Sequence, residues 1–215
     1  MESTSLPLRP AGPQAGERER LVRRAKLLAR VGVAWHGIEA AVALGAGIVA
    51  GSIALIGFGA DSLIELVAGL ILLWRFGGVA GSDERDHPAH RLIAVTFWLI
   101  AVYVAAEAIR SLVGGYHPEV SYVGIGLSVV TLATMPPLAA AKADVAAKLH
   151  SSAVRSEGRQ TALCAYLSAA LLIGLGANAL FAWWWADPAA ALLIATVAAN
   201  EGREAWSGKG DADCC

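Results

Sequence analysis

Residues 51–74 read GSIALIGFGADSLIELVAGLILLW. As a helix this stretch is long and apolar enough to cross a bilayer, yet Asp61 and Glu65 lie near its middle. Four residues apart, the two carboxylates share one helical face, one turn from each other. A carboxylate turned to lipid at that depth costs several kcal/mol. The stretch is therefore expected to face a bundle interior and to find polar partners elsewhere in the chain.

The 215 residues are 56% hydrophobic and 16% charged, with a mean hydropathy of +0.55. A soluble domain carries about 25% charged residues. Several further apolar runs of about 20 residues point to an all-α, polytopic membrane protein. Its three cysteines, Cys164 in an apolar run and Cys214 and Cys215 side by side, make no disulfide framework. Nothing resembles a cleavable signal peptide. No nucleic-acid partner is expected; the partner is the bilayer.

Six spans are expected, over 29–49, 53–74, 92–113, 121–141, 161–182 and 188–205. Residues 1–24 read as a disordered, basic tail, 25–207 as the transmembrane domain, and 208–215 as a short polar tail. The stretch KADVAAKLHSSAVRSEGR at 142–159 reads as the connection between spans four and five, and Asp187-Pro188 as the cap and first turn of span six. If the N-terminus is cytoplasmic, 15 of the 17 Lys and Arg fall in the inner segments. That asymmetry predicts both termini inside, in a plasma membrane. Trp183, Trp184 and Trp185 then lie at the outer interface, where indole rings anchor.

Few polar residues lie within the spans. Three pairs have helical spacing: His36 and Glu39 in span one, Asp61 and Glu65 in span two, Gln160 and Cys164 at the start of span five. Carboxylates with an imidazole or thiolate suit Zn²⁺ and neighbouring transition metals better than Ca²⁺ or Mg²⁺. Intramembrane carboxylates also bind protons. Each residue has a bland alternative: Cys164 buries readily as a small hydrophobe, His36 as a satisfied core histidine, and Glu107 as a structural group. Asn178 reads best as an interhelical hydrogen bond. In the loop DERDHPAH, Asp83, Asp86, His87 and His90 could gather a cation or form a solvated charged loop. No nucleophile–base arrangement and no phosphate loop is present, so the chain reads as a transporter rather than an enzyme, with no resident cofactor.

The run GSIALIGFGADSLIELVAGLILLWRF resembles the second transmembrane segment of the cation diffusion facilitator family of metal transporters. TFWLIAVYVAAEAIRSL, Met135-Pro136 with AAAKA, TALCAYLSAALLIGLGAN and WWWADPAAALLIA continue the resemblance in order from about residue 25 to 207. It implies six membrane helices, often a homodimer, and export of divalent metal against inward proton flow. It also implies a tetrahedral site from the acidic pair of span two and a His/Asp-x-x-x-Asp pair of span five. Here those positions hold Asp61, Glu65, Gln160 and Cys164, which are the expected metal ligands. His36 and Glu39 are expected as further ligands or proton carriers. The family often carries a cytoplasmic metal-binding domain after span six; none is expected here, so the membrane helices would hold any dimer. A non-transporting metal sensor or helper subunit with the transporter fold is the alternative.

Overall fold

The structure, a computed structural model, describes residues 15–77 and 86–207, the side chains at 15, 75–77, 86–93 and 152 set aside. The described residues form six helices: α1 (Ala15–Ala50), α2 (Ile53–Gly77), α3 (Asp86–Gly114), α4 (Tyr122–Leu149), α5 (Ser152–Phe181) and α6 (Ala186–Ser207). Five of them contain stretches long and apolar enough to cross a membrane: Gly16–Ala50, Ile53–Trp74, Ala94–Gly114, Tyr122–Leu149 and Ala153–Phe181. The sixth, α6, has 22 residues, about 33 Å at 1.5 Å per residue. It runs the same depth as its neighbours, since Asp187 bonds Ser52 at one end and Glu204 bonds Arg159 at the other.

Close approaches fix the register. A Cβ on Gly47 would stand 2.9 Å from Ile56 N, and one on Gly59 2.9 Å from Leu44 N. Only glycine lets α1 and α2 approach backbone to backbone. Gly51, at φ 64°, turns the chain between them. Gly57 meets Val104, and Ile64 clusters with Phe97 and Ala101, so α3 runs antiparallel to α2. Trp98 stacks on Trp206 with ring centroids 5.6 Å apart, tying α3 to α6. All six helices therefore alternate in direction. One end of the bundle, here the basic end, carries Arg24, Lys148, Arg155, Arg159 and Arg203.

The burial pattern is inverted relative to a protein in water. Ile48, Val49, Val102, Val113 and Ile173 are exposed, while Glu39, Ser62, Ser128, Thr131, Lys142 and Ser168 are buried. Outward apolar and inward polar side chains are what a hydrocarbon solvent selects. The chain is a multi-pass membrane protein.

Three expectations change. The basic residues of 18–24 lie on α1, which starts at Ala15, so the helix begins ten residues before the expected domain boundary. The stretch 142–160 is no loop. α4 continues to Leu149, and α5 starts at Ser152, capped by Ser151 accepting from Val154 N. Lys142 at the start of the stretch buries by pairing with Glu157 across the two helices, which no local pattern reveals. Asp187, finally, does more than cap its own helix. Its carboxylate accepts from Ser52 Oγ and from the backbone N–H of Ile53 at 3.0 Å, capping α2 from α6.

Candidate metal centre

The α1–α2 register decides which side chains meet. Gly47 lies level with Ile56 and Gly59 with Leu44. Carried along the helices, this puts Glu65 level with Ile38, between His36 and Glu39, and Asp61 one turn away, level with Val42. α5 adds Cys164 at the same depth. His36, Glu39, Glu65 and Cys164 each place one ligand atom within 4.8 Å of all the others, and all four are buried. Glu65 is the middle residue of α2, roughly 18 Å from either end. The site is near the midplane of the bundle.

Glu39, fully buried, is the hub. Its Oε1 accepts from Trp35 Nε1 at 3.3 Å and from Thr131 Oγ1 of α4. Its Oε2 accepts from Ser62 Oγ at 3.0 Å and Cys164 Sγ at 3.5 Å, and lies 3.2 Å from His36 Nδ1. Hydroxyl and indole donors of this kind orient a ligating carboxylate without competing for the ion. His36 Nδ1 is also 3.0 Å from Glu65 Oε2. Even so, Glu65 Oε2 makes no hydrogen bond of good geometry, the one such buried side-chain oxygen or nitrogen among the described residues. A buried carboxylate oxygen whose near neighbour, His36 Nδ1, is poorly aimed for a hydrogen bond can accept a cation or a proton.

The donor set suits an ion of the zinc type. One thiol, one imidazole and two carboxylates supply four ligands of mixed softness, enough for a tetrahedral site. A tetrahedral Zn²⁺ with bonds of about 2.0–2.3 Å spaces its ligand atoms by roughly 3.3–3.8 Å. The 4.8 Å limit of the cluster thus closes around an ion with side-chain shifts on the order of 1 Å.

Of the four residues expected to ligate, Glu65 and Cys164 are brought together, and they are joined by His36 and Glu39. Asp61 is buried but lies outside the four-ligand group, one turn beyond Glu65 and away from the basic end. Gln160 is partly exposed and stands one turn from Cys164 toward the basic end. Asp83 lies outside the described residues. Asp86, His87 and His90 belong to the first turns of α3, and their side chains are likewise outside what is described. Glu107 ion-pairs with Arg110 at 3.3 Å at the far end of α3, remote from the site. Asn178 donates to Pro118 O at 3.0 Å, a structural bond between α5 and the turn before α4.

Sequence reasoning passed over Thr131, Ser62 and Trp35. A threonine in span four carries no signal until α4 is docked on α1. It also passed over Glu201 of α6, which interacts electrostatically with Asp61 and Glu65. Its position near the charged end of span six disguised it as a surface residue. Residues 91–207 match the family model of the cation efflux transmembrane domain.

Proposed function

As this chain belongs to the cation efflux family, we propose that it exports a divalent transition-metal ion, Zn²⁺ first, across the plasma membrane in exchange for protons. His36, Glu39, Glu65 and Cys164 are the ligands. The carrying observation is their convergence near the midplane, four buried ligand atoms within 4.8 Å of one another. Both termini are cytoplasmic in this reading, so metal arrives from the basic end.

Loading exchanges charge for charge. Cys164 donates its S–H toward Glu39 and must lose that proton to ligate as thiolate. His36 ligates only as neutral imidazole, so, starting from an imidazolium held between the Glu39 and Glu65 carboxylates, its Nδ1 proton must also leave. Two protons given up for one divalent ion is an electroneutral exchange. Asp61, one turn beyond Glu65, carries protons in from the opposite side and drives release. The helices rock about this fixed site to alternate its access.

A proteoliposome flux assay over Zn²⁺, Co²⁺, Ni²⁺, Cd²⁺, Mn²⁺ and Fe²⁺ tests the reading. Wild type is expected to move Zn²⁺ with counterflow of H⁺. Glu65→Gln should lose at least 90% of the flux, and Cys164→Asp should shift preference toward the harder ions Mn²⁺ and Fe²⁺. Metal binding without flux in wild type would instead indicate a sensor that keeps the transporter fold.

A further inference from the structure

Beyond the four ligands lies a second buried polar group, which the binding chemistry above does not use. Lys142 of α4 is 1% exposed. Its Nζ donates to Glu157 Oε1 and to Thr161 Oγ1 of α5, both at 2.9 Å. Thr161 Oγ1 in turn donates to Glu157 O at 3.0 Å. The group is not confined to the α4–α5 hairpin. A Cβ on Gly32 of α1 would stand 3.0 Å from Lys142 Nζ, and one on Gly69 of α2 would stand 3.8 Å from Glu157 Oε1.

Those two glycines locate the ion pair. Gly32 is one turn from His36, and Gly69 one turn from Glu65, each toward the basic end. The pair thus fills the space between α1, α2, α4 and α5, roughly 6 Å from the ligands on that side. An ion arriving from the basic end along the bundle interior meets Lys142 and Glu157 before it meets His36 or Glu65.

Energetics argue against a purely structural role. A buried ion pair is often no more stabilising than apolar residues of the same shape, because desolvation offsets the attraction. Wetting the pair returns much of that desolvation cost, so separation in a water-filled vestibule is inexpensive. α4 also has a place to bend. Pro136 and Pro137 lie inside it, between Thr131, bonded to Glu39, and Lys142. Each proline removes a backbone donor and clashes with the preceding turn.

We infer that the Lys142–Glu157 pair is the gate on the basic side of the metal centre, closed in this structure. Opening withdraws Lys142 with the distal half of α4 and leaves the Glu157 carboxylate as the first station for an incoming cation. That the incoming cation is cargo rests on the proposed function; the gate itself is tested without transport.

In a Cys214→Ser/Cys215→Ser background, Cys164 is the remaining thiol. Its labelling by a membrane-impermeant methanethiosulfonate is followed in vesicles of both orientations, assigned by an epitope on the N-terminus. From the side of the termini, Lys142→Met and Glu157→Gln should each speed labelling at least tenfold, with the opposite side unchanged. Lys142→Glu combined with Glu157→Lys should restore the slow rate. Thr161→Val keeps the shape of the site and guards against misfolding of the charge variants; it should speed labelling severalfold. Unchanged rates in the folded variants, or equal acceleration from both sides, would overturn the gate. Accelerated labelling in a protein whose wild type moves no metal would keep the gate and sink the transport reading.

Discussion

At the scale of single residues, the proposed site exchanges Glu39 and Asp61 relative to the ligand set that the family resemblance implies. The i, i+4 pair in span two fixes a face, and on that face Asp61 and Glu65 are equivalent. What separates them is interhelical register, set by Gly47 and Gly59, which puts α1's His36 and Glu39 level with Glu65 alone. Glu39→Gln should therefore weaken Zn²⁺ binding at least 100-fold by isothermal titration, and Thr131→Val, which removes only an orienting hydroxyl, roughly 10-fold. Asp61→Asn should bind Zn²⁺ within about threefold of wild type yet lose proton-coupled flux. A 100-fold affinity loss in Asp61→Asn would return that carboxylate to the ligand set.

At the scale of elements, the ends of the helices show how much the sequence made legible. The spans of α1, α2 and α3 follow from hydropathy, and Asn178 as an interhelical bond follows from its type and depth. The stretch 142–160 misleads because its polarity matches that of a solvated loop. Lys142, Glu157 and Thr161 satisfy one another inside the bundle, and that pairing spans two helices. Asp187 misleads in a subtler way: Asp-Pro at a helix start is a sound capping signal, but nothing local says that the carboxylate reaches α2. Because it serves Ser52 and the N–H groups of Ile53 and Ala54, Asp187→Ala leaves buried donors without an acceptor, at a cost of about 1–2 kcal/mol. The melting temperature in detergent should fall by roughly 5 °C, while Zn²⁺ affinity stays within about threefold. An unchanged melting temperature would mean that the α2–α6 contact contributes nothing to the fold.

At the scale of the whole molecule, the candidate metal centre lies on the seam between two helix pairs. α1 packs on α2 through glycine, and α4 packs on α5 as a hairpin; between these two pairs, apolar clusters such as Ala25 with Val145, Ala146 and Val154 flank a line of buried polar contacts. Glu39 to Thr131, Glu39 to Cys164, and Lys142 beside Gly32 all cross that seam. Such a seam can open without dismantling either pair, which alternating access requires. An ion held by α1, α2 and α5 together closes it. Any ligand that binds the folded state alone stabilises it by RT ln(1 + [L]/Kd), about 2.7 kcal/mol at 100 times Kd. For a chain of this size that raises the melting temperature by roughly 5–10 °C. Zn²⁺ should produce this rise in wild type, and Mg²⁺, which prefers six oxygen ligands, should not. Glu65→Gln and Cys164→Ser should each abolish most of the rise, whereas Lys142→Met, which opens the gate but leaves the ligands in place, should keep it. If Lys142→Met abolished the rise as completely as Glu65→Gln, the ion pair would belong to the binding site itself and not to the path leading to it.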